Sequence, residues 1–267
     1  MQQVVDLDRV LSEVDKVCEP KEAIWFNISR DKTTVFDSKL GGVPYFPADM
    51  EYPISEDGKP LLLLAQINFD NVPKLKDFPS TGILQFFIKP GDAYGLFEKD
   101  GYRVIYHSDV QRSAKRLAVY DYECENKYDL PFTGSYKLTV DNRNYMFADI
   151  YTDKFCDVFV EKYNLLTDGS LKSVYDVDDD TFHKLAMRNS RGNAHIGGYP
   201  VFTQYDPRKK SEYADYDIVI FELDSFYDKE KGFDIMWGDC GVGNFFMTNN
   251  QLRNLEFAKV LYNWDCG

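Results

Sequence analysis

The chain of 267 residues sets 31 Lys and Arg against 44 Asp and Glu, a formal charge of −13, and is 44% hydrophobic and 16% aromatic. That much aromatic surface excludes a disordered chain, and unremarkable Gly and Pro usage (17 and 11 residues) excludes collagen-like or low-complexity repeats. The acidic balance argues against nucleic acid as a partner, because phosphate contacts need clustered cations and the basic triplets Arg112, Lys115, Arg116 and Arg208, Lys209, Lys210 are short.

Met1–Val10 is acidic and lacks the order of a secretory signal, and Val4–Val17 places apolar residues at three- and four-residue steps, an amphipathic helix stopped before Pro20. Glu22–Ile28 suits a strand. Further strands are expected at 61–68, 82–89 and 102–107, at Tyr136–Val140, and at 216–223, 243–248 and 258–262. Between them lie helices over Asp153–Leu165 and Asp178–Met187, the second capped by the acidic run at Asp178 rather than using it for a metal. The longest apolar run, Leu61–Ala65, is far short of the ~20 residues that span a bilayer. No membrane association is expected. Cys18, Cys124, Cys156, Cys240 and Cys266 form no C-x-x-C pair, and only His107, His183 and His195 could serve a transition metal, so free thiols, a cytoplasmic location and no cofactor are expected.

A repeat organises these elements. Lys39-Leu-Gly-Gly-Val-Pro-Tyr-Phe46 is echoed 156 residues later by His195-Ile-Gly-Gly-Tyr-Pro-Val-Phe202, so that Gly41, Gly42 and Pro44 lie over Gly197, Gly198 and Pro200. At the same spacing Leu61–Asn68 lies over Asp217–Asp224 and Val104–Asp109 over Val260–Asp265, while Gln85–Ile88 lies over Asn244–Met247 at a spacing of 159. The chain is read as one domain of two duplicated halves, 33–110 and 189–267, with 111–188 inserted between them. The fold class is α+β: antiparallel β-sheets from the duplicated halves, with helices packed on the faces.

Ser38–Pro47, Pro60–Asn68, Gly82–Phe87, Ile196–Gln204 with Asp206-Pro-Arg208, and Met236–Asp239 before Asn244–Phe246 resemble the YwqG-like family of bacterial proteins of unknown function. The resemblance implies a fold membership and a bacterial, cytoplasmic setting. It implies no reaction.

The candidate binding residues are Gly41, Gly42, Pro44, His195, Gly197, Gly198, Gln204, Asp206, Arg208, Glu222, Trp237 and Asp239. Each Gly pair permits positive φ and close backbone approach, serving either a plain turn, the favoured reading, or an amide-lined pocket. Glu222 interrupts an apolar strand where the first half has Gln66, so it either sits at an exposed strand end, the expected case, or pairs with His195 or Arg208. Trp237-Gly-Asp-Cys-Gly-Val-Gly243 is a flexible loop in which Cys240 with His195 and Asp239 would be a thiol catalytic set, although no nucleophile motif surrounds it. Tyr94, Phe97, Tyr102, Tyr106, Tyr120, Tyr122, Tyr128, Tyr205, Tyr213 and Tyr216 are too many to be all core, and suit a contact surface. The expected role is a non-enzymatic protein- or ligand-binding domain whose halves frame a groove, with a basic protein or peptide as partner, such as a toxin it neutralises. The alternative is an enzyme, a hydrolase or a nucleotide- or carbohydrate-acting protein, with His195, Glu222 and Asp239 in a site between the halves.

Overall fold

A computed structural model describes residues 6–122, 129–189 and 193–267, so that Val4, Val5, Cys124 and Tyr128 lie outside the described residues. Asp6 accepts the Arg9 amide at 3.1 Å to start α1 (Leu7–Asp15), which buries Val10 and Val14. Then come β1 (Lys21–Ser29), β2 (Lys39–Gly41), β3 (Leu62–Asn68), β4 (Ile83–Ile88), β5 (Tyr102–His107), β6 (Ser135–Val140) and β7 (Tyr145–Met146). Two helices follow, α2 (Asp153–Thr167) and α3 (Asp179–Ala186), the latter capped by Asp178, which accepts the Thr181 amide. The chain ends with β8 (Ala194–Gly197), β9 (Ile218–Asp224), the hairpin β10 (Phe226–Asp228) and β11 (Phe233–Ile235), β12 (Val242–Met247), α4 (Asn249–Arg253) and β13 (Leu261–Asp265). The last strand starts three residues later than the sequence pattern suggests, because Phe257–Lys259 winds into a 3₁₀ turn. Among the described residues no helix is long and apolar enough to cross a membrane.

The described strands other than the β10–β11 hairpin join one antiparallel sheet in the order β13-β12-β9-β8-β1-β6-β2-β3-β4-β5, with β7 added to β1. The order is a palindrome about the β1–β6 pair. On one side β6 leads to β2, β3, β4 and β5; on the other β1 leads to β8, β9, β12 and β13. Each run repeats the other in detail. Lys39 faces Gln66 as His195 faces Glu222, and a bulge leaves Leu64 unpaired in β3 and Ile220 unpaired in β9, all 156 residues apart. The sheet curls until its edges nearly meet: Tyr102 on β5 donates its hydroxyl to Val260 O (2.8 Å), and its ring lies 5.1 Å from Tyr262 on β13.

The inner face of this nearly closed barrel is the main core, where Phe86 packs 5.0 Å from Phe221 and 4.9 Å from Phe245. The space between the two runs is therefore filled with rings. The outer face is covered as well, by the loop that lays Phe46 over Leu63 and Phe87 and by Met146 and Val201 beside Ala23 and Trp25, while α1, α2 and α3 enclose a second core around Phe155 and Phe159. Burial on both faces explains why β3, β4 and β12 are buried at every position and carry apolar residues on both faces instead of alternating.

Gly41, Gly42, Gly197 and Gly198 all have positive φ, from +60° to +76°. At Gly197 a methyl group would also come within 2.6 Å of Glu22 O, whereas at Gly134 (φ +77°) it would meet open space. Gly134→Ala is expected to lose about 1 kcal/mol for the left-handed backbone, and Gly197→Ala roughly twice as much or more because β1 must also move. Equilibrium urea unfolding of the two variants measures the difference.

Candidate functional site

After each Gly pair the chain folds back over the outer face of its own run, carrying the backbone of one residue onto an apolar surface. Both the amide and the carbonyl of that residue are caught. In the first half Gln66 Oε1 accepts the Tyr45 amide (2.9 Å) and Gln85 Nε2 donates to Tyr45 O (2.6 Å). In the second half Glu222 Oε2 accepts the Val201 amide (2.9 Å) and Asn244 Nδ2 donates to Val201 O (2.9 Å). Gln66, Gln85, Glu222 and Asn244 are all buried. The expectation of an exposed strand end at Glu222 is thus corrected: the carboxylate is buried because a loop amide and an imidazole replace its water.

That imidazole is His195, 1% exposed and edge-on to Trp25 at 4.7 Å. Its Nδ1 lies 3.0 Å from Gly197 O and its Nε2 3.1 Å from Glu222 Oε1. A carbonyl only accepts, so Nδ1 carries a hydrogen, and one further proton lies between Nε2 and the carboxylate. The pair is neutral as a unit wherever that proton sits. Arg208 is not part of it: its guanidinium grips Asp206 (2.8 and 2.7 Å) and lies 4.8 Å over the Phe246 ring.

The first half builds the same clasp from neutral amides and extends it. Gln66 Nε2 donates to Val35 O and Asp37 O, Gln85 Nε2 also donates to Gln66 Oε1 (2.8 Å), and His107 Nε2 donates to Gln85 Oε1 (2.8 Å). Burial pushes His107 down to about 4, which keeps the ring neutral as this single donation requires. Lys39, where the second half has His195, donates to Thr34 O (2.8 Å) and Val43 O, and burial pulls its ammonium down to about 8.

The remaining candidates separate. Pro44 is a buried residue of the first loop, and Trp237 is core, its ring against Gly243 and 5.2 Å from Tyr94. Gln204 is exposed, but its amide is one of three consecutive ones, from Thr203 to Tyr205, that converge on Asp265, a residue the sequence reading did not single out. Asp239 and Cys240 stand in an exposed turn, unlike the buried His195. Of the tyrosines expected at a surface, Tyr122 and Tyr205 are exposed with Phe97, whereas Tyr94 is buried against both Trp237 and Trp264. Among the described residues no three His, Cys, Asp or Glu side chains gather where they could hold a metal ion.

Open space lies beside both Gly turns. Gly198 borders a cleft of about 340 Å³ with Ile218 and Val219, rimmed by Lys21, Glu22 and Asp217. Gly42 borders one of about 350 Å³ with Leu62, Leu63, Thr133 and Ser135. Gly42, Leu62 and Leu63 precede Gly198, Ile218 and Val219 by 156 residues, so the clefts occupy matching places in the two runs.

His107 gives the clasp a pH signature. A free histidine titrates near 6.5, so as pH falls the unfolded chain takes up this proton before the folded one. Stability held above pH 6.5 is expected to drain away between 6.5 and 4, by about 3 kcal/mol at the limit. His107→Asn, which installs the residue found at position 263, flattens that part of the curve in urea unfolding across the same range.

A search of curated proteins returned no match. A family model described as a domain of unknown function, DUF1963, matches residues 38–266 and so takes in both clasps and both glycine turns. The chain belongs to this DUF1963 family.

Proposed function

We propose that this chain is a non-catalytic binding protein built from two copies of one strand-and-loop unit, and that it meets its partner at the clefts beside the glycine turns. The observation that carries this reading is the employment of His195 and Glu222, which are 1% and 3% exposed and spend their polar atoms on Gly197 O, the Val201 amide and each other. Gln66 and Gln85 do the same work without an acid or a base. For His195, Glu222 and Asp239 to act together, a buried pair and an exposed turn would have to meet at one surface.

The palindromic strand order, the recurring bulge and the two clasps support a duplication. They also support enlarging the first copy to include β1 and the second to include β6, because β1 flanks β8 as β6 flanks β2. A basic protein or peptide remains the proposed partner, supported by the charge of −13 and by the exposed Glu22 and Asp217 on the rim of the second cleft. Neutralisation of a toxin, a YwqG-like membership and a bacterial, cytoplasmic setting belong to the same proposal.

Co-purification from its own cells at low salt should return a stoichiometric partner that Glu22→Lys with Asp217→Lys releases. A preparation that returns none overturns the reading. The structural role of the buried pair has its own test. Glu222→Gln keeps an acceptor for the Val201 amide and is expected to stay within about 1 kcal/mol of the parent. Glu222→Ala, which strands the amide and the imidazole, is expected to lose about 3 kcal/mol or more in urea unfolding.

A further inference from the structure

A third cleft differs in character from the two beside the glycine turns. β1 pairs with β6 as far as Ser29 but with β8 only from Ala23 to Phe26. Beside its last residues the β10–β11 hairpin stands off the sheet, tethered where Arg30 Nε donates to Gly232 O (2.9 Å). The gap is a cleft of about 520 Å³, within the range that encloses a small organic ligand.

The chain has 44 Asp and Glu, yet among the described residues none lines this cleft. The lining contains Arg30, Arg143 and Lys231, with Phe26, Ile28, Phe226 and Phe233 as apolar wall. Two of the cations are paired with carboxylates outside the lining: Arg143 is 2.9 Å from Asp141, and Lys231 is 3.3 Å from Asp228. Ser29 turns its hydroxyl to Asp31 (2.9 Å), which also lies outside the lining. Arg30 makes no ion pair among the described residues. Its Nε and Nη2 are spent on Gly232 O, and its guanidinium lies 4.5 Å over the Tyr136 ring, leaving Nη1 for a ligand. A guanidinium held against an aromatic face, with part of its donor set unused, is a preorganised receptor for an oxyanion.

We infer that this cleft binds a small molecule that joins a planar ring to a carboxylate or phosphate, the oxyanion directed to Arg30 and Lys231 and the ring lying against Phe226 and Phe233. The walls supply ring contacts: Phe226 and Phe233 are 5.3 Å apart. The lining charge selects against cations, opposite to the preference of the surface as a whole. The site is separate from the glycine-turn clefts, so its test stands apart from that of the partner reading.

Titration calorimetry with phenyl phosphate and with benzoate tests it, using benzyl alcohol as the uncharged control and benzylamine as the cationic one. At least one of the two anions should bind, more weakly as salt is added, and which one binds names the head group. Lys231→Gln is expected to weaken binding about threefold, and Arg30→Gln about tenfold. Because Arg30 also tethers the hairpin, Lys231→Glu is the decisive variant: its side chain is 71% exposed, so charge reversal spares the fold. Binding by neither anion, benzylamine binding as tightly as the anions, or unchanged affinity in Lys231→Glu each overturns the inference.

Discussion

The covering of the sheet's outer face by the two Gly-turn loops depends on how the backbone amide and carbonyl of two residues, Tyr45 and Val201, are satisfied away from water. A loop laid over apolar strands brings its amides and carbonyls with it, and each one left unpaired costs on the order of 1–3 kcal/mol. A polar side chain on each of two adjacent strands prevents that cost. Gln66 and Gln85 grip residue 45, and Glu222 and Asn244 grip residue 201. Once the clasp is in place the rest follows. The loop covers the strands, the strands can be apolar on both faces, and two glycines at positive φ turn the chain back over the sheet immediately after β2 and β8.

This constraint also explains what could be read from the sequence and what could not. The spacing of 156 is visible because both halves keep the glycine turn, the strand and the clasp residue in the same order. The helices at 153 and 178 are visible from apolar spacing and a capping aspartate. The burial of Glu222 is not visible, because what receives it is partly a backbone amide, and an amide has no letter of its own. The strands β2 and β8 are also hidden: they span three and four residues, too few to show alternation, and end on the glycines that mark a turn. Tyr94 reads as one more surface tyrosine until Trp237 and Trp264, far along the chain, are found packed against it. Arg30, Arg143 and Lys231 come together only through folding, and no motif links them.

Net charge shows the difference between a surface and a site. A charge of −13 spread along the chain sets the long-range field, which governs solubility and the approach of large partners. Within a cleft the lining residues decide, because a charge a few ångströms away outweighs many that lie beyond the ~8 Å screening length. The proposed basic partner outside and the inferred oxyanion inside therefore do not conflict.

The two runs share their strand order, bulge, clasp and glycine turn, and these shared parts are all occupied in holding the structure together. The differences are found elsewhere. The connection from β3 to β4 is a loop that sends Leu75 and Phe78 to the cleft at Gly198, whereas the connection from β9 to β12 is the β10–β11 hairpin that sends Phe226, Lys231 and Phe233 toward Arg30. A feature that the fold needs must recur in both runs, since each has the same loop amide and carbonyl to satisfy. A feature present in only one run is free of that requirement. By this reasoning the cationic cleft, made where one run departs from the other, has a stronger claim to a specific ligand than either glycine turn, whose geometry the fold requires on both sides.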